Sequence, residues 1–172
     1  MYFQNFPTIS YDAVGDGNTQ VVTDILTRVV VLKSVRDQKS LFSKYDVFDW
    51  ETPESVSLEV YGKSDYHWVI LMFNKYFARY YEWPMSIQIL QKYVSDKYTN
   101  PNAIHHYETS QSSGNTNVKI KVEVADVPTA TPVTNYEYEQ DLNDARKQIQ
   151  LLQPGYLPTF ISDFRRLVTP QV

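Results

Sequence analysis

The period of apolar and polar positions changes most sharply in the stretch WETPESVSLEVYGKSDYHWVILMFNKYFARYYEW, from Trp50 to Trp83. Val56 and Val60 recur at helical spacing with Tyr61 beside them. Thr52 followed by Pro53 is a helix start: the hydroxyl caps, and the proline's missing N–H costs nothing at the first helical position. Gly62 ends that helix, because glycine takes the left-handed C-terminal conformation freely. Ser64 or Asp65 then predicts a second N-cap. In the second helix Trp68, Leu71 and Met72 share one face and Val69, Ile70 and Phe73 cover most of the rest, so Asn74 is expected to close it as a left-handed cap. The runs LFSKYDVFDW before this pair and KYFARYYEW after it read as strands, giving the order strand, helix, helix, strand. Val56, Val60, Tyr61, Trp68 and Leu71 are the expected interior of this module. Tyr80, Tyr81, Trp83 and the strand-stopping Pro84 form a candidate protein interface, since alternate side chains of a strand face away from the helices.

On either side of this centre the patterning is weaker. Tyr2, Phe3, Phe6 and Ile9 alternate with polar residues around Pro7, which predicts an edge strand or extended arm. GDGN from Gly15 to Asn18 is a turn, and Thr23 predicts the cap of a helix running toward Leu32, although the β-branched Val21, Val22 and Val29 to Val31 favour strand; helix followed by strand is the resulting reading. Ser86 caps a helix with Leu90 and Val94 one turn apart, ended by Asn100-Pro101. IHHYETS and VKIKVEV read as a β-hairpin across a Ser-Ser-Gly-Asn loop. Its face of Val118, Ile120, Val122 and Val124 has to lie on the domain or on another subunit. DVPTATPVT, with Pro128 and Pro132, reads as a linker. Beyond it, Glu137 to Ala145 suits a helix, IQLL a short strand, and Pro158 to Leu167 a helix with Phe160, Ile161, Phe164 and Leu167 on one side.

These segments predict an α+β chain of one module with appendages. Its expected divisions are an N-terminal arm with helix and strand over 1–38, the central module with its following helix over 39–100, the hairpin over 101–125, and a linker with a C-terminal helical segment over 126–172. The N-terminal and linker stretches are expected to be mobile alone and ordered on assembly.

The β-α-α-β order, with a Tyr-Gly pair closing the first helix and Trp, apolar residues and Asn in the second, resembles the LysM module. ETPE, YG, HWVILMFNK, YYEWP and a helix ending in KYV, followed by HHYET, NYEYE and an LN-containing helix start, resemble the baseplate wedge protein of contractile-tailed bacteriophages, the gene 53 product family, over about Ser40 to Leu167. That resemblance implies a structural protein of the inner wedge of a tail baseplate, present once per wedge, which joins neighbouring wedges around the tail hub. It implies wedge and hub-proximal tail proteins as partners, no cofactor, and a virion location after assembly in the host cytoplasm. The LysM likeness carries a rival reading, a peptidoglycan- or glycan-binding module, which the single unit and the arm-like flanks disfavour.

Composition narrows the alternatives. At 172 residues, 42% hydrophobic and 21% charged, the chain falls among globular proteins, and its 14 Tyr suit surfaces that a partner covers as well as cores. A net charge of −4 provides no basic field for nucleic acid. No apolar run reaches the ~20 residues that cross a bilayer, and the N-terminus lacks the pattern of a signal peptide. Cysteine is absent, which removes disulfides and thiol nucleophiles. Of the three His, His105 and His106 are consecutive in a predicted strand and should point to opposite faces, so they are not expected to share a metal; His67 has no acidic or His partner at helical spacing. Glu51, Glu54 and Glu82 flank the aromatic module and raise the thought of a glycosidase pair, but their spacing does not establish one, and Glu54 is explained by the positive end of a helix. No catalytic, cofactor-binding or metal residue is therefore assigned, and no enzyme is expected.

Overall fold

A computed structural model describes residues 2–26, 29–114 and 117–168. In chain order the elements are β1 (Thr8–Tyr11), β2 (Gln20–Thr23), α1 (Lys33–Arg36), β3 (Phe42–Asp46), α2 (Pro53–Tyr61), α3 (His67–Phe73), α4 (Arg79–Glu82) and α5 (Ile87–Lys97). They continue as β4 (Ile104–Ser110), β5 (Lys119–Val122), β6 (Thr131–Thr134), α6 (Asn135–Lys147), β7 (Gln148–Leu152) and α7 (Leu157–Val168). Packing gathers them into two compact units, the first from residues 2–26, 29–47, 51–83 and 148–168, the second from 48–50, 84–114 and 117–147. Met1, Asn115 and the last four residues of the expected C-terminal segment lie outside the described residues.

The first unit is built around α2 and α3, and most of their punctuation is local. Thr52 Oγ1 accepts from Ser55 N–H while Ser55 Oγ accepts from Thr52 N–H, a reciprocal cap, with Pro53 at the first position. Gly62 ends α2 at φ 72°. The start of α3 differs from expectation: neither Ser64 nor Asp65 caps it, and a single 3-10 turn, Ser64–Tyr66, leads in instead. Asn74 also differs, since it stays at φ −87° and Lys75 takes the left-handed position at φ 59°. The reason is that the Asn74 amide is in use. It donates to the carbonyls of Ile70 and Gln150 at 2.9 and 2.8 Å and accepts from Gln150 N–H at 2.8 Å, tying the end of α3 to β7.

The expected second strand at 75–83 is absent, and its place beside β3 is taken by β7. β3 and β7 run antiparallel with Phe42 opposite Leu152 and Asp46 opposite Gln148. IQLL is therefore the strand that completes the strand, helix, helix, strand set, and it reaches β3 only after the chain has built the whole second unit. β7 alternates as a half-buried strand should: Ile149 and Leu151 are buried, with Leu152 beside them, while Gln148 and Gln150 face water.

Two apolar clusters fill the unit. In one, Val56, Ile70, Trp83, Ile149 and Leu151 are buried with Val47, and Val60, Tyr61 and Leu71 pack against them. In the other, Trp68, Val69, Phe73, Leu152, Leu157 and Phe164 meet the N-terminal segment. That segment is thus no free arm. Tyr2 lies 5.3 Å from Trp68 between ring centroids, and Phe6 is 7% exposed. Only the β1–β2 hairpin that follows is exposed along both strands, and residues 24–26 and 29–32, expected to form a helix followed by a strand, form neither. In α7 the buried positions are Leu157, Phe164 and Val168, with Phe160 and Ile161 at the edge; Leu167 turns out to solvent.

The second unit pairs α5 with α6 beside a three-stranded sheet of order β5-β4-β6. Ser86 caps α5, whose Leu90 and Val94 are buried. The stretch expected to be a linker supplies β6, an edge strand in which Pro132 sits opposite Tyr107; an edge is where a residue without an N–H is tolerated. α6 begins two residues before Glu137 because Thr134 Oγ1 accepts from Glu137 N–H and the Glu137 carboxylate accepts from Thr134 N–H. Its buried face is polar. Glu139 accepts from Lys97 and from the Tyr98 hydroxyl, and Asn143 is bonded to both backbone groups of Met85. The hairpin face of Val118, Ile120 and Val124 remains exposed, so it is not covered by the domain.

Candidate protein interface

The run from Lys75 to Trp83 is a loop braced by hydrogen bonds at both ends. Tyr76 N–H donates to Leu71 O at 2.9 Å, continuing the turn that Lys75 opens at the end of α3. Glu82, at the end of α4, reaches back to accept from the N–H groups of Phe77 and Ala78 at 2.5 and 2.6 Å, satisfying donors that a helix start would leave unpaired. This local capture is why the run forms a helical turn and no strand. Trp83 anchors the far end: its ring is 7% exposed, its indole N–H donates to Glu51 O at 2.7 Å, and Tyr76 packs edge-on against it. Arg79 pairs with Glu54 of α2 and lies 5.5 Å over the Tyr80 ring. On this braced loop Phe77, Tyr80 and Tyr81 are 74%, 84% and 80% exposed.

Of the four residues expected at the interface, Tyr80 and Tyr81 are thus outward, Trp83 belongs to the core, and Pro84 is half-buried at the start of the second unit. Of the five expected interior residues, Val56 and Trp68 are buried in different clusters, while Val60, Tyr61 and Leu71 are half-buried against the Val56 cluster. Phe77 was the residue missed. Its signal is helical spacing: Phe77, Tyr80 and Tyr81 stand at i, i+3 and i+4, whereas Tyr76 and Trp83 stand at i and i+7. Read with that period, the run separates into an outer and an inner set.

The carboxylates that suggested a glycosidase pair have structural partners. Glu51 accepts from the Tyr45 hydroxyl at 2.7 Å, Glu54 holds Arg79, and Glu82 caps the loop. Burial, reinforced by Glu51, pushes the Tyr45 phenol well above its ordinary value. His67 is fixed through Nδ1 to the Ser64 carbonyl at 2.9 Å.

In the second unit the consecutive histidines do meet, against expectation. The register between β4 and β6 slips between Ile104 and His106, and this irregularity breaks the alternation of side chains. The two Nδ1 atoms are 2.8 Å apart. His106 Nε2 donates to Glu108 at 2.9 Å, so in the neutral ring its Nδ1 accepts from His105 Nδ1–H. The His105 ring stacks on Tyr138 with centroids 3.9 Å apart. Among the described residues no group of three or more His, Asp or Glu is placed to hold a metal.

Burial, then the neighbouring His106 and Lys121, hold the His105 pKa below its ordinary 6.5, with Glu139 acting in the opposite sense. Between the folded and unfolded pKa values the unfolded chain binds more protons, so stability present above pH 6.5 is lost as the pH falls through the folded value. The melting temperature of this unit should therefore drop as the pH is lowered from about 7.5 to about 5. His105→Phe, which keeps a ring against Tyr138, should flatten that slope. Melting curves of the two proteins across the range test this, and equal slopes would show that His105 does not carry the effect.

Exposed aromatic rings gathered on one braced loop are a composition that protein interfaces favour. The chain matches the family described as base plate wedge protein 53 over residues 1–128, and it belongs to that family. It is a structural protein of a phage baseplate wedge, which places it in the virion tail. The match extends to the N-terminus, beyond the stretch in which the resemblance was read, and stops before the NYEYE segment. No curated protein matches the chain. Among the described residues no helix is long and apolar enough to cross a membrane.

Proposed function

We propose that the protein occupies the inner part of the wedge of a contractile tail, one copy per wedge, and joins neighbouring wedges into a ring around the tail hub. Its partners are other wedge proteins and hub-proximal tail proteins, met during assembly in the host cytoplasm. The observation that supports this reading is the Phe77, Tyr80 and Tyr81 trio on its braced loop. Rings carried on a backbone already braced before binding lose less conformational freedom when covered, so more of the burial appears as affinity. The β3-α2-α3-β7 set supports a LysM-like module whose second strand comes from the far end of the chain.

Reconstitution tests it. Wedges assembled without this protein should remain separate sectors under the electron microscope, and adding it back should close them into rings. Rings that close in its absence would overturn the proposal. The glycan alternative predicts retention on insoluble peptidoglycan, whereas the joining role predicts sedimentation no greater than that of a non-binding control.

A further inference from the structure

The first unit carries an open groove of about 580 Å³ between the segment at 29–36 and the end of α3. Val29, Val31, Leu71 and Met72 provide apolar wall, and Phe77 lines one end. That end is shared with the braced loop, since Phe77 is also one of its three exposed rings. Among the described residues no Asp, Glu, Asn or Gln side chain lines the groove, so it offers a polyhydroxylated ligand few side-chain acceptors beyond Tyr2, Tyr76 and His67. Among the described residues the fixed charges that line it are both positive, those of Arg36 and Lys75. Neither has an ion pair with a carboxylate among the described residues.

These facts constrain what can cover the groove. A purely apolar cover would take two cations out of water with nothing to offset the loss of hydration, and a buried unpaired charge is strongly unfavourable. A small molecule confined to the groove would leave the adjoining Tyr80 and Tyr81 rings in water.

We infer that the groove receives an apolar segment of a neighbouring baseplate subunit that also carries an Asp or Glu, which pairs with Arg36 and Lys75 while its apolar side chains fill the wall and continue onto the rings of the loop. This deepens the wedge-joining reading and rests on it. The acidic group decides orientation and partner choice, because a segment with Lys or Arg in that position meets like charge.

The absence of cysteine makes the test direct, because one introduced thiol is a unique labelling site. Met72→Cys, in the groove, and Tyr81→Cys, on the loop, are each coupled to a benzophenone maleimide, checked for an unchanged melting curve, incorporated into reconstituted baseplates and illuminated. The adduct from position 72 should map by mass spectrometry to a peptide of another subunit with an Asp or Glu within about one helical turn of the modified residue. In parallel, Arg36→Gln with Lys75→Gln should weaken incorporation about thirtyfold or more, the scale for losing one side of a covered charge pair. An adduct to a second copy of this chain, an adduct to a peptide without an acid, or full incorporation of the double variant would overturn the inference. Adducts from position 81 to another subunit with none from position 72 would overturn it and leave the wedge-joining reading standing. Ring closure without this protein would instead remove that reading itself.

Discussion

Replacing Phe77, Tyr80 and Tyr81 together by alanine is expected to abolish incorporation into baseplates while leaving the melting of the isolated protein nearly unchanged. All three rings are more than 70% exposed, so their removal opens no cavity, and exposed substitutions usually change stability by less than about 0.5 kcal/mol. The braces of the loop are kept, because Glu82 caps backbone N–H groups that alanine retains and Arg79 still reaches Glu54. At an interface the same rings act as anchors. Truncating one costs about 2 kcal/mol or more when it is a hot spot, so the three together should remove measurable binding. Circular dichroism melts and co-sedimentation with reconstituted rings give the two readings. Normal incorporation would place the contact elsewhere on the molecule, and a lowered melting temperature would show that the rings support the fold.

Trp83→Ala is expected to do the opposite damage, unfolding the first unit at the source. Trp83 is buried with Val56, Ile70, Ile149 and Leu151, and its removal should cost about 3–5 kcal/mol, as large-to-small changes of a buried aromatic do. Its indole N–H is also the partner of Glu51 O, immediately before the Thr52 cap of α2. Against a total stability of about 5–15 kcal/mol for a typical domain, such a loss leaves little margin. Trp83→Phe keeps most of the packing and forfeits the hydrogen bond, for an expected cost of about 1–3 kcal/mol including the unpaired carbonyl. Urea titrations followed by circular dichroism should show the midpoints falling in that order. A Trp83→Ala midpoint equal to that of the parent protein would mean that the ring is not part of the core.

The two predictions separate residues that stand within seven positions of one another. Read as a strand, the run left Tyr80, Tyr81 and Trp83 together as candidates for the interface, because alternation requires some of the rings to face outward without saying which. The run is helical in its spacing because the Glu82 carboxylate closes on Phe77 and Ala78, and once it turns, Trp83 points inward and Phe77 outward. The groove was not legible at all. Arg36 is far along the chain from Leu71 and Phe77 and comes to line the same groove only through packing. The His105–His106 contact escaped for a related reason, since a shift of register is decided by the neighbouring strand and leaves no mark on the strand that carries it.

What the sequence alone determined is the punctuation: the Thr52-Pro53 start and Gly62 end of α2, the Ser86 cap of α5, the β4–β5 hairpin, and the amphipathic helix that became α7. Each rests on hydrogen bonds or side-chain periods within a few residues, so the cause and the signal occupy the same stretch of chain. The tertiary structure alone decided which strand lies beside β3, that a proline-bearing stretch serves as the edge strand β6, and that the N-terminal aromatics join the core. A strand is stabilised by whatever pairs with it. The partner of Phe42 is Leu152, more than a hundred residues away, and no local pattern at either residue names the other.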